Sequence, residues 1–283
     1  MPTETSERIT TVVISLNRRD DLMQSLPRHA APVVLVDNGS TDDTVSTIRV
    51  AYPHVHVVEL RKNRGAAARN VGVQLAETPY VAFADDDSWW SPGSLERAVR
   101  LLDDHPRLAL VAARILVGPE ERLDPSSVEM AASPLPVAAD AAGVPVLGFV
   151  ACGAVIRRQA FLDVGGFDPV VFFPGEEERV ALDLAAAGWE LAYVPEVVAH
   201  HHPSTLRSSN SARQTLILRN AILTAIMRRP WRVVGSRCLS SLSHRRAGVA
   251  AIAAVAPRLP PALAARHRLP EQVEARLAVL SDV

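Results

Sequence analysis

Short apolar runs alternate with longer, helix-like segments along the first 90 residues of the chain. The apolar runs are rich in Val, Ile and Ala and occupy residues 10–15, 32–36, 55–60 and 80–84. The segments between them have the composition of helices and cover residues 18–29, 40–50 and 63–76. Strands that alternate with helices form parallel sheets whose crossovers are right-handed. The alternation therefore predicts an α/β fold with a wound, mostly parallel sheet.

The pattern of the remaining residues predicts fewer strands and a helical C-terminal region. Further strands are expected at 108–116, 146–156 and 189–194, and helices at 92–104 and 176–187. Ser40 and Asp43 are expected to open their helix as a capping box. Ser91 is expected to cap the helix that begins at Pro92. Residues 117–145 form a long connection without clear periodicity, and residues from 211 onward are helical.

Composition and cysteine content limit the class of protein. The chain has 283 residues, 48% of them apolar, which allows one large domain or a domain with an appendage. The two cysteines, Cys152 and Cys238, lie far apart and belong to no C-x-x-C pair. This spacing favours a reducing compartment over a disulfide framework or a zinc site.

We expect neither a secretion signal nor a membrane-spanning helix. Residues 1–8 are polar and lack the basic-then-apolar order of a secretion signal. The most apolar stretch, 247–265, is interrupted by prolines and by Arg258. A spanning helix needs about 20 predominantly apolar residues in succession. These features predict a cytoplasmic protein.

Charge is distributed unevenly along the chain. Residues 203–283 contain 13 arginines, no lysine and three acids, a formal charge of +10 against −11 for the preceding part. One interpretation is peripheral contact with an anionic partner, such as the inner face of a membrane or a lipid phosphate. The other is a solvated helical face without a partner. We do not expect nucleic acid among the partners.

Three consecutive carboxylates, Asp85, Asp86 and Asp87, follow the fourth apolar run. Adjacent carboxylates repel one another unless they are solvated or bind a cation. Their oxygen atoms suit Mg²⁺ or Mn²⁺, and either ion can also bridge a diphosphate. The cluster therefore predicts a metal site, although an acidic loop that precedes a helix has the same composition.

Other polar residues are expected at the same edge of the sheet. Asp37 follows the second apolar run, and ligands of wound sheets lie at the carboxyl ends of strands. A carboxylate there can accept hydrogen bonds from a base or a ribose, yet residues 37–39 also have the composition of an ordinary turn. Arg64 and Arg69 either contact a base or phosphates or are exposed on an Ala-rich helix.

Two later clusters allow catalytic or metal-binding interpretations. Glu176, Glu177 and Glu178 open a predicted helix, where acids also complement the helix dipole. A carboxylate at a cleft can instead remove a proton from an acceptor hydroxyl. Three histidines at 200–202 follow a predicted strand, and an imidazole can complete a metal shell of carboxylates. Side chains alternate along extended backbone, so the three imidazoles cannot all face one ion.

Several common catalytic signatures are absent from the sequence. It contains no G-x-S-x-G elbow, no P-loop and no G-x-G-x-x-G segment. These absences weigh against a serine hydrolase, a P-loop NTPase and a Rossmann dehydrogenase.

Taken together, five segments resemble the family 2 glycosyltransferases, in order, over residues 10–202. The segments are VVISLNRRDDL (12–22), VVLVDNGSTDDT (33–44), NRGAAARNVGVQLAETPYVAFADDD (63–87), GAVIRRQAFLDVGGFDP (153–169) and GEEERVALDLAAAGWELAYVPEVVAHHH (175–202). The resemblance implies a GT-A fold in residues 1–203, with a Rossmann-like wound sheet and flanking helices. A helical, arginine-rich region, 204–283, would follow. A rhamnosyltransferase-like subgroup is compatible with the motifs.

The resemblance also implies roles for individual residues. Nucleotide contacts are implied for Ser15, Asn17, Asp37, Arg64, Arg69, Asp85 and Asp86. Asp87, together with Asp85 and His201, is implied to hold Mn²⁺ or Mg²⁺. Glu177 aligns with the general base of inverting members, and Glu176 aligns with the acid that precedes it. Arg179 stands where the family usually has a second Asp, and Glu177 replaces the more common Asp.

The activity implied by the resemblance is transfer of a sugar from a nucleotide-diphosphate sugar to an acceptor hydroxyl, with inversion and a bound metal. The acceptor would be a saccharide, a glycolipid or a small molecule, in cell-envelope or natural-product glycosylation. Two alternatives stay open: a nucleotide-sugar-binding protein without turnover, and a nucleotidyltransferase-like enzyme. The first strand lacks the glycine-rich phosphate loop that a nucleotidyltransferase would usually carry.

Overall fold

The computed structural model describes residues 7–203 and 210–281. Ten strands join one sheet in this part of the chain. They are β1 (Ile9–Ser15), β2 (Val33–Asp37), β3 (His56–Glu59), β4 (Tyr80–Asp85), β5 (Ser88–Trp90), β6 (Leu108–Val117), β7 (Arg122–Leu123), β8 (Val144–Pro145), β9 (Ala154–Arg157) and β10 (Glu190–His201). Their order is β3-β2-β1-β4-β9-β6-β10-β5, while the short β7 and β8 pair with β6 and β10.

The first four strands form the parallel part of the sheet that the sequence pattern predicts. Strand β1 lies between β2 and β4, and β2 also pairs with β3, all in parallel. The register places Ser15 beside Asp37 and Ile14 beside Asp85. The carboxyl ends of β1, β2 and β4 therefore meet at one edge, as the topology requires.

The sheet continues through an antiparallel strand that the sequence does not place correctly. Strand β9 is antiparallel to both β4 and β6, and β10 runs parallel to β6. The strand expected at 146–156 is wrong in extent, because residues 151–153 form a 3₁₀ turn before β9 begins. An apolar run without alternation does not reveal where a buried strand starts.

Twelve α-helices cover the sheet and form the C-terminal region within the described residues. They are α1 (Arg19–Ser25), α2 (Thr44–Ala51), α3 (Ala68–Leu75), α4 (Ser94–Asp104), α5 (Pro125–Ala131), α6 (Arg158–Asp163), α7 (Glu177–Ala186), α8 (Asn210–Arg228), α9 (Trp231–Leu242), α10 (Arg246–Val255), α11 (Leu259–Ala264) and α12 (Glu271–Ser281). The connection at 117–145 contains α5, whose N-cap Asp124 accepts a hydrogen bond from the Ser126 amide at 2.8 Å.

Two predicted helix starts are wrong. Helix α2 begins at Thr44 and not at Ser40, because the amide and hydroxyl of Ser40 both donate to the carboxylate of Asp37. Helix α4 begins after Gly93, which adopts a left-handed φ of 80°, so Ser91 does not cap it. In both cases the expected capping side chain makes a different contact: Ser91 hydrogen-bonds His200 at 2.6 Å.

The core lies on both faces of the sheet. On one face the rings of Phe83, Phe161 and Phe167 pack together with centroids 5.4–5.6 Å apart. All three side chains are fully buried. Burial of one such ring stabilises a fold by about 1.5–3 kcal/mol. This aromatic cluster fixes β4 and the loop after α6, which both lead to the edge where the polar residues meet.

The C-terminal helices share a hydrophobic cluster with the loop that precedes α7. Ile222, Leu223 and Met227 of α8 pack with Val255 of α10 and with Val171. Val171 is fully buried in this cluster. The helical region is therefore in direct contact with the part of the chain that carries the sheet.

We expected no membrane-spanning helix, but residues 246–264 are long and apolar enough to be a candidate. This stretch has a mean hydropathy of 1.4, and by length and composition alone it meets the requirement for one spanning helix. Only 22% of it is buried. A 3₁₀ turn containing Pro257 and Arg258 separates α10 from α11 within it. A single helix of this kind is weak evidence for a membrane span.

Close packing of α9 against α10 depends on Gly248. A Cβ atom at this position would lie 1.8 Å from the backbone oxygen of Ser241, whereas one at Gly235 of α9 would meet no heavy atom within 4 Å. We expect Gly248→Ala to lower the free energy of unfolding by about 1–3 kcal/mol through overpacking. Gly235→Ala should raise it by about 0.5–1 kcal/mol because Ala favours helix. Urea unfolding measures both, and a Gly248→Ala protein as stable as wild type would contradict the packing.

Candidate active site

A cleft of about 380 Å³ opens at the carboxyl ends of β1, β2 and β4. Polar side chains from several separate segments line it, and they are Ser15, Arg18, Asn38, Asn63, Arg69, Asp85, Asp86, Asp87, His201 and Arg213. Leu16, Phe172 and Phe173 form apolar parts of the wall. The cleft thus combines a carboxylate cluster with cationic and apolar groups at the edge where wound sheets bind ligands.

The loop after β2 is organised by Asp37. Its carboxylate accepts hydrogen bonds from the amides of Gly39 at 3.2 Å and Ser40 at 2.9 Å, and it is completely buried. Asn17 supports the same loop, because its side-chain oxygen accepts from the Thr41 amide at 2.8 Å. Neither Asp37 nor Asn17 lines the cleft, whereas the neighbouring Asn38 does. Their predicted nucleotide contacts stay predictions.

Asn38 joins two loops at the floor of the cleft. Its Nδ2 donates to the Asn63 side chain and to the Gly65 carbonyl, both at 3.1 Å, and its Oδ1 accepts from the Arg64 amide at 2.8 Å. The Arg64 side chain is exposed and lines a neighbouring hollow. Asn38 was not predicted at the site, although its position directly after a strand-end Asp is a usable signal.

Arg69 is the buried cation of the site. It is 2% exposed, its Nη2 donates to the carboxylate of Asp85, and its Nη1 lies 3.5 Å from Oε1 of Glu176. Burial opposes the positive charge, but the carboxylates of Asp85, Glu176 and Glu177 outweigh burial and raise the pKa of Arg69. Arg69 therefore connects the end of β4 with the start of α7, and it also faces the cleft.

The three aspartates after β4 lie in different surroundings. Asp86 is largely enclosed, and burial, together with the adjacent Asp87 and Asp85, raises its pKa well above the usual value. Asp87 Oδ1 lies 3.3 Å from Nε2 of His201. The antiparallel pairing of β5 with β10, in which Ser88 faces His201, brings these two groups together. The predicted carboxylates and histidine therefore share one wall of the cleft.

Only His201 of the three histidines lines the cleft. His200 stacks on the Trp89 ring at 5.4 Å between centroids and hydrogen-bonds Ser91 at 2.6 Å. His202 meets the same Trp89 ring edge-on at 4.6 Å. Alternation of side chains along β10 explains why His201 faces the opposite way.

Donor atoms suited to a metal ion converge beside His201. One atom each from Asp85, Cys152 and His201 lie within 4.8 Å of one another, and Asp87 adjoins His201. Carboxylate oxygen and imidazole nitrogen suit Mn²⁺ or Mg²⁺, so these residues fit such an ion. Cys152 was not predicted here, because no sequence pattern links it to the aspartates. Its thiol is buried, and burial raises its pKa well above the usual value.

Glu176 and Glu177 stand at the start of α7 behind Arg69. Glu176 is 1% exposed, and neither of its carboxylate oxygens has a hydrogen-bond partner among the described residues. Burial, followed by the charge of Glu177, raises the pKa of Glu176 well above the usual value. Glu177 accepts a hydrogen bond from the Ala151 amide at 3.3 Å, and burial raises its pKa too. A carboxylate with a raised pKa is a stronger proton acceptor.

Arg179, the departure from the family pattern, points into the protein and not into the cleft. It is 5% exposed, donates to Asp183 at 2.7 Å and to the Gly166 carbonyl at 2.8 Å, and is absent from the cleft lining. The substitution of an acid by Arg179 therefore places no cation among the cleft residues.

Comparison with known proteins gives one family match and several relatives. The family model described as "Glycosyl transferase family 2" matches residues 10–165. The pre-mycofactocin glycosyltransferase of Mycobacterium tuberculosis is 33% identical over 219 aligned residues, with 73% of this chain and 45% of that protein covered. The N-acetylglucosaminyl-diphospho-decaprenol L-rhamnosyltransferase of the same species is 27% identical over 203 residues, with 60% and 66% covered. The chain thus spans about half the length of the first relative.

Solved structures show the same fold. The mannosyltransferase PcManGT from Pyrobaculum calidifontis, in complex with GDP-Man and Mn²⁺, superposes with a TM-score of 0.61 and 23% identity, covering 97% of this chain and 79% of that one. GalNAc-T7 with UDP, GalNAc and Mn²⁺ superposes with a TM-score of 0.60 and 16% identity, covering 79% and 48%. At these identities the likeness concerns the fold alone, and the predicted GT-A architecture is confirmed.

The raised pKa of Glu176 has a consequence for stability. A carboxyl group whose pKa is raised by folding adds to the free energy of unfolding. This contribution is complete below the unfolded-state pKa, about 4.3, and it is lost as the pH rises through the higher folded-state pKa. Gln cannot ionise, so the Glu176→Gln protein does not lose stability in this way as the pH rises. We expect the variant to match wild type near pH 4 and to become more stable above it, by at most about 1.4 kcal/mol per pH unit.

Urea unfolding from pH 4 to pH 8 measures this difference. Glu129→Gln, at an exposed position on α5, is the control and should follow wild type at every pH. A Glu176→Gln protein that loses stability relative to wild type as the pH rises would contradict the burial argument.

Proposed function

The chain belongs to glycosyl transferase family 2, and we propose that it transfers a sugar from a nucleotide-diphosphate donor to an acceptor hydroxyl. The observation that carries the proposal is the convergence of Asp85, Asp87 and His201 on one wall of the cleft. Oxygen and imidazole ligands at such an edge suit a cation that accompanies a diphosphate. Arg18 and Arg213 also line the cleft, and arginine is a cationic group suited to binding phosphate oxygens.

Mn²⁺ or Mg²⁺ is the proposed cofactor. Asp87 and His201 would hold it, with Asp85 and Cys152 close enough to join them. When bound, the ion would supply a Lewis acid for the charge that develops on the leaving diphosphate. Asp85 would stay paired with Arg69, which fixes the orientation of its carboxylate.

Glu177 is the proposed general base of an inverting displacement. The acceptor oxygen attacks the anomeric carbon while the bond from that carbon to the diphosphate oxygen breaks, and the acceptor proton passes to the Glu177 carboxylate. The hydrogen bond from Ala151 orients this carboxylate, and burial raises its pKa, which strengthens it as a base. Glu176, completely enclosed beside Arg69, is proposed to support the same segment rather than to contact the acceptor.

Product analysis tests the proposed activity. Wild-type protein, incubated with a panel of nucleotide sugars, Mn²⁺ and candidate acceptors, should release a nucleoside diphosphate and form a glycoside of inverted anomeric configuration. The acceptor panel includes saccharides, small molecules and lipid-linked diphosphates, the last because the name of the mycobacterial rhamnosyltransferase specifies one. Pyrophosphate release would indicate nucleotidyl transfer instead, and donor binding without any release would indicate a binding protein.

Loss of the proposed base should abolish turnover while the donor still binds. We expect Glu177→Gln to lower kcat by roughly 10²–10⁴-fold, because general-base catalysis contributes about that much. The Kd for the nucleoside diphosphate should change by less than about twofold, since Gln keeps the size of the side chain. Steady-state kinetics and calorimetric titration measure the two quantities, and a fully active Glu177→Gln protein would refute the assignment.

We propose that the protein acts in the cytoplasm, peripherally at the inner face of a membrane. Exposed apolar side chains from α9 and α10, Leu239 at 71% and Val249 at 60%, lie in the same helical region as the exposed Arg245 and Arg246. No acidic residue occurs between 203 and 270. Arginine beside apolar side chains is the composition that binds anionic lipid surfaces.

Sedimentation with vesicles tests this location. Wild type should sediment with phosphatidylglycerol vesicles, but not with phosphatidylcholine vesicles, and high salt should release it. Arg245→Glu with Arg246→Glu should weaken binding, since each arginine near an anionic surface contributes about 1 kcal/mol. Val50→Asp, at an exposed apolar position on α2, is the control and should bind as wild type does. Equal binding to both lipids would refute the location.

A further inference from the structure

The C-terminal helices hold the loop that precedes the two candidate catalytic glutamates. Asn220 of α8 is completely buried, and its Nδ2 donates to the Pro174 carbonyl at 2.7 Å. The adjacent Arg219 donates from Nη2 to the Val171 carbonyl at 3.3 Å. Two neighbouring side chains of one helix thus bind backbone oxygens at both ends of Val171–Pro174.

A second contact fixes the first turn of α7. Arg237 of α9 donates from Nη1 to one oxygen of Glu178 at 3.0 Å and from Nη2 to the other at 2.5 Å. The same Nη1 also donates to the Ala221 carbonyl of α8 at 2.7 Å. A bidentate arginine–carboxylate pair fixes direction as well as distance. Glu178 directly follows Glu177, so the pair restrains the backbone that carries the proposed base.

The loop held in this way forms part of the cleft. Phe172 and Phe173 line the wall of the cleft, and Phe172 has a left-handed φ of 73°, which is uncommon for a bulky residue. The Phe172 carbonyl accepts from the Ala66 amide at 3.0 Å. A backbone conformation of this kind persists only where its surroundings determine it. Hydrogen bonds from α8 and from the Ala66 amide hold this backbone conformation from two sides.

We propose that Asn220 and Arg237 are positioning residues, which hold residues 171–178 so that Glu177 and the Phe172–Phe173 wall keep a fixed place beside the cleft. The catalytic part of this inference rests on the proposed transferase function. Neither residue touches the cleft itself. Their effect on catalysis therefore passes through the loop and through the first turn of α7.

A purely stabilising role makes a different prediction, and the chain offers a matched control. Arg229 pairs with Glu274 at 2.8 Å, and the two side chains are 10% and 15% exposed. This pair joins the residue directly after α8 to α12, and its side-chain hydrogen bond does not involve the first turn of α7. If the arginines only stabilise the fold, Arg229→Gln and Arg237→Gln should behave alike. If Arg237 positions the base, only its loss should disturb residues 171–178.

Hydrogen–deuterium exchange on the full-length chain tests the positioning directly, without any need for turnover. We expect Arg237→Gln and Asn220→Ala to accelerate amide exchange in peptides covering 171–178 by at least tenfold. Arg229→Gln should leave these peptides at the wild-type rate. Unchanged exchange in the first two variants, or an equal acceleration in Arg229→Gln, would overturn the proposal.

Kinetics then tests the consequence for catalysis. We expect Arg237→Gln to lower kcat by about 10- to 100-fold, since a displacement of about 1 Å costs up to that much, while the donor KM stays within twofold. Arg237→Lys, which keeps the charge, should recover part of kcat, and Arg229→Gln should keep kcat within twofold of wild type. A wild-type kcat in Arg237→Gln would overturn the catalytic role. Absence of any transfer by wild type would instead refute the proposed function and leave the exchange result standing.

Discussion

The site depends on the contacts that the buried guanidinium of Arg69 makes with two carboxyl groups. The guanidinium pairs with Asp85 at the end of β4 and with Glu176 at the start of α7, so one cation ties together two segments about 90 residues apart in sequence. Asp85 is the carboxylate that accepts the Arg69 hydrogen bond, and removing such a partner from a buried pair commonly costs about 3–5 kcal/mol, because the other charge is left uncompensated. The arrangement keeps an acidic cluster together and leaves Asp87 and His201 open to the cleft.

Ion pairs inside the protein account for part of the uneven charge of the sequence. Arg228 binds both oxygens of Asp183 at 2.5 and 3.0 Å, and Arg237 binds Glu178 in the same bidentate manner. Both acids belong to α7. The basic helical region therefore complements an acidic helix of the sheet-bearing part. The positive charge available to a membrane is the remainder, which includes the exposed Arg232, Arg245 and Arg246. The proposed lipid contact combines this charge with the exposed apolar side chains of α9 and α10.

Much of the fold follows from sequence, but the contacts within the site follow only in part. Apolar runs that alternate with helical segments predicted the parallel strands. Alternation of side chains along the extended backbone at the end of β10 explains why His201, alone of the three histidines at 200–202, lines the cleft. The capping role of Ser40 was wrong because Asp37 binds its hydroxyl, a competition that local propensity does not resolve. Cys152 and Arg213 reach the site through tertiary packing between distant segments, and neither carries a local signal.

We propose above all that the cleft binds a nucleoside diphosphate through a divalent cation held by Asp87. Calorimetric titration of UDP, GDP and dTDP, each with and without Mn²⁺, tests it on wild type and on Asp87→Asn. We expect one diphosphate to bind wild type only when Mn²⁺ is present, and we expect Asp87→Asn to weaken this binding at least about tenfold, or 1.4 kcal/mol. Binding that is independent of Mn²⁺, or unchanged in Asp87→Asn, would contradict it.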